Sequence, residues 1–205
     1  MRIEEIKRSE RKKDRILVKL DSGDLLRITE EELLRFGLRT GMELSGEQIG
    51  ALKSAAKATT ARVTAANMIG RRALSRKELE RRLVRKGADE ADAEAAADWL
   101  EDIGAVDDTA YAAAIARDYG RRGYGEARVR EELRRRGVPR ELWEDALSEM
   151  PDSDAVLDAL IQKKCAGELT DPKEIRRVSD SLLRRGFSWS QVRSAMSRYA
   201  RLPED

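Results

Sequence analysis

The amino-acid sequence predicts a mainly α-helical protein, built as three tandem three-helix repeats that form an elongated curved array, with a small β-hairpin or sheet appended at the N-terminus. Aromatic residues make up only 4% of the 205, whereas Ala, Leu, Arg and Glu, which lose least on entering a helix, recur throughout. A basic helix end closed by glycine occurs three times, as Leu83-Val-Arg-Lys-Gly87, Leu133-Arg-Arg-Arg-Gly137 and Leu182-Leu-Arg-Arg-Gly186, with the glycines 50 and 49 residues apart. Apolar residues recur around each glycine at helical spacing.

Residues 1–45 read as a β-rich appendage. Arg15-Ile16-Leu17-Val18-Lys19-Leu20 and Leu25-Leu26-Arg27-Ile28 are rich in strand-forming residues and flank the turn Asp21-Ser22-Gly23. A lone hairpin is marginal in water, so Ile3 and Ile6 are assigned to a third strand and a short helix over 29–36 to one face. Gly37 and Gly41 suit the turns.

The repeats are expected at 46–106, 107–151 and 152–205. Their first helices are predicted over 47–69, 109–121 and 154–165, giving nine helices in all. Middle helices carry start signals, namely the capping box Ser75-x-x-Glu78 and Asp171 followed by Pro172. Their inward faces pair Leu79 with Leu83, Val129 with Leu133, and Val178 with Leu182. Each glycine reads as a left-handed helix cap beside bases that complement the helix C-terminus.

Beyond each glycine, helix-start residues (Asp89, Pro139, Ser188) precede an apolar stripe. These stripes are Ala93, Ala96, Ala97 and Leu100, then Trp143, Ala146, Leu147 and Met150, then Val192, Ala195, Met196 and Tyr199. Trp99, Trp143 and Trp189 are expected to pack between helices.

Histidine is absent, which removes the usual neutral-pH base, the commonest zinc ligand and the familiar hydrolytic triads. There is no G-x-x-x-x-G-K-[ST] loop, so the chain is read as non-enzymatic, with no catalytic residue, cofactor or metal. Cys165, the single cysteine, forms no intrachain disulfide and reads as a core thiol in a reducing compartment. A charged start (MRIEEIKRSERKKDR) and no apolar run near the roughly 20 residues of a membrane helix make a cytoplasmic location the expectation, with no membrane partner.

Net charge is +2, yet the signs are segregated. Eight bases and two acids lie between Arg71 and Lys86, whereas nine acids and no base lie between Asp89 and Asp108. The middle helices carry Arg76, Lys77, Arg81, Arg82, Arg85 and Lys86, with Arg72 just before them. The second carries Arg128, Arg130, Arg134, Arg135 and Arg136, and the third Lys173, Arg176, Arg177, Arg184 and Arg185. This set is the candidate interaction surface for a polyanion or an acidic protein face. The alternative for any one base is a solvated face paired with Glu78, Glu80, Glu131 or Glu132. Three-helix units invite comparison with helix-turn-helix readers, but the third helix of the first unit opens Asp-Glu-Ala-Asp-Ala-Glu and would repel phosphate. In the third unit Trp189, Gln191, Arg193 and Arg198 are more permissive, and Trp189 could stack on an unpaired base.

The stretch Arg72-x-x-Ser75-x-x-Glu78-Leu79-x-x-x-Leu83-x-x-Lys86-Gly87, then Gly104-Ala-Val-Asp107-Asp108-Thr-Ala-Tyr111-Ala112, then Glu132-Leu133-Arg-Arg-Arg136-Gly137-Val138, resembles the RecX family over roughly 65–200. The third unit is less similar than the first two. The resemblance implies a regulator, mainly an inhibitor, of the RecA recombinase. Such a protein binds in the groove of the RecA–single-stranded DNA filament and limits its extension, ATPase, strand exchange and co-protease activity, and so acts in recombination and the SOS response. Partners would be the filament, its single-stranded DNA and, weakly, free DNA, with the protein a monomer. Alternatives are an autonomous helical DNA-binding protein or a helical scaffold for an acidic peptide.

Overall fold

A computed structural model describes residues 1–10, 15–165 and 169–199. The final six positions assigned to the third repeat, 200–205, lie outside the described residues. The chain divides into two compact units, one of residues 1–72 and 79–105, the other of 73–78 and 106–205.

In the first unit, β1 (Ile3–Arg8), β2 (Ile16–Leu20) and β3 (Leu25–Ile28) form an antiparallel sheet in that order. The predicted turn is present, with Gly23 at φ +87° and its N–H donating to the Leu20 carbonyl. The third strand assigned to Ile3 and Ile6 is β1, whose outer edge is covered at its start: Ile3 donates to the Met42 carbonyl and accepts from Gly41. The short helix is α1 (Glu30–Arg35), capped by Thr29. Buried Glu32 accepts from the Thr29 main-chain N–H and hydroxyl and from the Thr59 hydroxyl on α2 (Gly46–Ile69). Burial pushes the Glu32 carboxyl up, and these donors outweigh it and hold it below its ordinary value.

Alternation on β2 and β3 sends Ile16, Val18, Leu20, Leu26 and Ile28 into one core with Leu44, Ile49, Leu52 and Ala56. The sheet therefore shares its core with the first helix of the first repeat. That helix packs on α4 (Glu90–Asp102), which buries the predicted Ala93, Ala96, Ala97 and Leu100. Ala56, Ala61 and Ala65 are the buried small residues of α2, so both partners lack bulk and a close helix approach replaces large side chains. Between α2 and α4 in sequence, α3 (Arg76–Arg85) buries Leu79 and Leu83.

The second unit contains α5 (Asp108–Arg121), α6 (Glu126–Arg136), a 3₁₀ turn (Arg140–Leu142), α7 (Trp143–Ser148), α8 (Ser153–Lys164), α9 (Pro172–Arg184) and α10 (Trp189–Ser197). Apolar clusters fill it among the described residues. One joins Tyr111, Ile115, Val129, Leu133, Val138 and Leu147; another joins Leu157, Ile161, Val178, Leu182, Phe187, Val192 and Met196. Cys165 belongs to the latter, and burial pushes its thiol above its ordinary pKa, as a core thiol requires. Asp171 caps α9 by accepting from the Lys173 N–H, with Pro172 at the first helical position. After Pro139 the chain makes a 3₁₀ turn before α7, so that repeat's last helix starts later than its sequence signal.

Gly87, Gly137 and Gly186 stand at φ +93°, +73° and +93°, the left-handed caps the repeat predicts. The residue after each donates back to the leucine four before the glycine, Ala88 to Leu83 at 3.1 Å, Val138 to Leu133 at 3.0 Å and Phe187 to Leu182 at 3.4 Å. Among the described residues no helix is long and apolar enough to cross a membrane.

Candidate interaction surface

Each middle helix buries two apolar residues four apart, so most of its other positions face outward, and these carry the bases. On α3, Lys77, Arg81, Arg85 and Lys86 are exposed, Arg76 and Arg82 half-buried, and Arg72 is exposed just before the helix. On α6, Arg128, Arg134 and Arg135 are exposed. On α9, Lys173, Arg176, Arg177 and Arg184 are exposed.

Several of these bases are already engaged with acids. Arg134 pairs with Glu131 at 2.7 Å, Arg135 with Glu132 at 2.6 Å, and Arg177 with Glu174 at 3.3 Å. Arg130 is forked onto Glu144 of α7 and also meets Glu126. Exposed pairs such as Arg134–Glu131 and Arg177–Glu174 contribute little, so their arginines remain exchangeable toward a stronger anion, whereas the Arg135 pair involves the buried Glu132.

Two predicted site residues have a different role. Arg136 is half-buried; its guanidinium donates to Glu132 and to the Tyr111 hydroxyl and lies 5.6 Å from the Tyr111 ring. Its own carbonyl accepts from the Ser75 hydroxyl at the start of α3. Arg185, also half-buried, donates to the Arg122 and Gly123 carbonyls at 3.3 and 3.1 Å and lies 5.5 Å from the Tyr124 ring. The Arg185 and Gly186 carbonyls accept from Gly125 and Ala127 at 2.9 and 3.1 Å. The C-terminal end of α9 is thus bonded to the first turn of α6, and the C-terminal end of α6 to the start of α3. The Arg185 side chain fastens the third repeat to the second, whereas the Arg136 side chain braces α6 within its own repeat and only its carbonyl reaches Ser75, so neither guanidinium is left facing a partner.

Glu132 sits at the centre of the Arg136 contact. It is 4% exposed, and the Arg135 hydrogen bond, followed by that of Arg136, outweighs burial and pulls its carboxyl down to about 2. Arg136 is opposed by burial, yet Glu132 and Tyr111 raise it above its ordinary value. Both Glu132 and Ser75 were visible in sequence as a charge partner and a cap; that Glu132 is buried and that Ser75 also bonds the end of α6 was not. Gly125 escaped notice altogether, although its place at the start of a middle helix, where Ser75 stands in the first repeat, was a signal.

Of the three tryptophans, Trp143 packs as expected and donates to the Val138 carbonyl at 3.0 Å, and Trp99 is half-buried with the Arg62 guanidinium 6.0 Å from its ring. Trp189 is not packed between helices: it is 63% exposed. It precedes Val192 by one turn and extends the buried stripe beyond the edge of the core, so the indole stands in solvent. The acidic start of α4 is partly engaged, with Asp89 3.0 Å from Lys57.

Three family models match in tandem: the first three-helix domain of RecX over 61–100, the second over 107–147 and the third over 152–196. A relative from Vibrio parahaemolyticus named Regulatory protein RecX is 35% identical over 118 residues, 57% of this chain and 76% of its own length. One of the same name from Xanthomonas axonopodis pv. citri is 37% identical over 117 residues, covering 56% and 72%. The crystal structure of a regulatory protein RecX superposes with a TM-score of 0.73 at 23% identity over 96% of this chain and 98% of that one. RecX from Lactobacillus salivarius gives 0.65 at 21% identity over 71% and 97%, and both likenesses speak to the fold. With three consecutive domain models along its repeats and relatives at this identity and coverage, the chain belongs to the RecX family.

Proposed function

We propose that the protein regulates the RecA recombinase, chiefly as an inhibitor, by binding in the groove of the filament that RecA forms on single-stranded DNA. Bound there, it limits filament extension and so restrains ATP hydrolysis, strand exchange and co-protease activity. The observation that supports this reading is the recurrence, on all three middle helices, of exposed bases above a buried apolar pair: Arg81 and Arg85, Arg128, Arg134 and Arg135, Arg176, Arg177 and Arg184. A repeated cationic face of this kind meets phosphate or acidic protein without reading base sequence. Binding alone accounts for the activity, and no chemical step is assigned to the chain.

The test is RecA's single-stranded-DNA-dependent ATP hydrolysis measured against increasing amounts of this protein at moderate salt. Inhibition at amounts well below RecA supports action on filament growth. Unchanged hydrolysis at excess protein overturns the reading.

A further inference from the structure

A cavity of about 370 Å³ opens in the first unit along the whole of β3, Leu25 to Ile28. Its floor is α2 at Leu52 and Ala56, and its opposite wall is the end of α3 at Lys86 and Gly87. This volume falls within the range of ligand-binding clefts, roughly 300–1,000 Å³.

Strand β3 is an edge of the sheet. The Leu20 N–H donates to the Asp24 carbonyl, which makes 20 and 24 a hydrogen-bonded pair, and antiparallel alternation then makes Val18 with Leu26 and Ile16 with Ile28 the next ones. The main chains of Leu25 and Arg27 consequently point away from β2, toward the cavity. No strand pairs with that edge among the described residues, whereas β1 is bonded on its outer side to the 41–43 segment.

Charge around this slot is biased. Arg27, Lys53, Lys57 and Lys86 line it against Asp89 and Asp92, and Lys57 is paired with Asp89. Lys86 occupies the repeat position of Arg136 and Arg185. The guanidinium groups of those two are engaged within the fold, while Lys86 is exposed at the slot.

We infer that this slot binds an extended acidic peptide segment of a partner protein, which adds a strand to β3, seats apolar side chains against Leu25 and Ala56, and places carboxylates near Arg27, Lys53 and Lys86. Main-chain bonds along an open edge supply affinity in this mode, and alternate side chains supply selection. The inference shares Lys86 with the basic set of α3 but is tested apart from the filament reading, since Arg27 and Lys53, the residues varied, lie outside the basic faces of the middle helices.

The test is fluorescence anisotropy on the full chain with a labelled peptide alternating Val with Asp and Glu, beside the same peptide with Lys for every acid and a labelled oligothymidylate. Arg27→Ala removes charge alone, whereas Arg27→Pro also removes the outward N–H without touching the bonds to β2. Expected are binding of the acidic peptide only, a loss of about tenfold or more for Lys53→Glu, and a further loss for Arg27→Pro beyond Arg27→Ala. Slowed exchange of the Leu25 and Arg27 amides in wild-type protein saturated with the acidic peptide is the second readout, and it needs no variant to fold. Equal binding by Arg27→Pro and Arg27→Ala, unchanged amide exchange, or an oligothymidylate signal that Lys53→Glu abolishes while the acidic peptide fails to bind, each overturns the inference.

Discussion

The Gly125 amide donates to the Arg185 carbonyl at 2.9 Å, joining the start of one repeat's middle helix to the end of the next repeat's. The two backbones approach so closely that a Cβ on Gly125 would stand 2.4 Å from the Gly186 carbonyl carbon and 2.5 Å from the Phe187 nitrogen. Gly125 has an ordinary φ of −84°, so space rather than conformation demands glycine here.

Gly125→Ala must therefore push backbone against backbone. Its expected cost is about 3 kcal/mol, the upper end of overpacking effects, because no flexible side chain can yield. Gly50→Ala is the control: exposed in the interior of α2 with nothing within 4 Å of its Cβ position, it is expected to gain about 0.5–1 kcal/mol. Urea unfolding of both variants checks this, and similar shifts for the two would refute the close-approach account.

Glu132 makes the C-terminal end of α6 sensitive to acid. Its folded pKa of about 2 lies below the ordinary 4.5, so the stabilisation is complete above about 4.5 and is lost as pH falls toward 2. At about 1.4 kcal/mol per unit, that amounts to about 3 kcal/mol. Glu132→Gln is expected to lower stability at pH 7 and to differ less from the parent at pH 3. Denaturation curves that stay parallel at the two pH values would remove Glu132 from this role.

The difference between what was legible and what was not follows from range. The hairpin at Asp21-Ser22-Gly23, the glycine caps at 87, 137 and 186, and the buried pairs such as Leu79 with Leu83 depend on neighbours within a few residues, and all three are present. Arg136 and Arg185 look in sequence like Arg135 and Arg184. Adjacent helical residues point about 100° apart, so one neighbour of each pair turns inward. Arg185 meets a carbonyl 62 residues away, and the Arg136 carbonyl meets a hydroxyl 61 away, separations that no local pattern encodes. Trp189 failed for a related reason, since an apolar stripe does not mark where the core beneath it ends.

An indole exposed at the surface can report on a ligand. If the exposed Trp189 stacks on an unpaired base, oligothymidylate quenches its fluorescence, and Trp189→Ala weakens single-stranded DNA binding by about 1–3 kcal/mol. Because it is a surface position, stability should stay within about 0.5 kcal/mol of the parent. Absence of quenching at saturating oligonucleotide would exclude this stacking.

The basic set should separate by experiment into facing and fastening residues. Arg81, Arg82 and Arg85 project from α3 around its buried Leu79 and Leu83, and replacing all three with Ala is expected to weaken inhibition of RecA while helicity is retained. If they meet single-stranded DNA phosphates, the salt dependence of binding should also flatten by about 0.7 in log–log slope for each phosphate no longer neutralised. Arg185→Ala is expected to do the reverse. It removes two bonds to main-chain carbonyls and the approach to Tyr124, and should cost stability, about 1.5–3 kcal/mol, with little change in salt slope. Measuring unfolding midpoint and salt slope for both variants distinguishes the roles, since a face that merely solvates the helix would leave the triple variant as inhibitory as the parent.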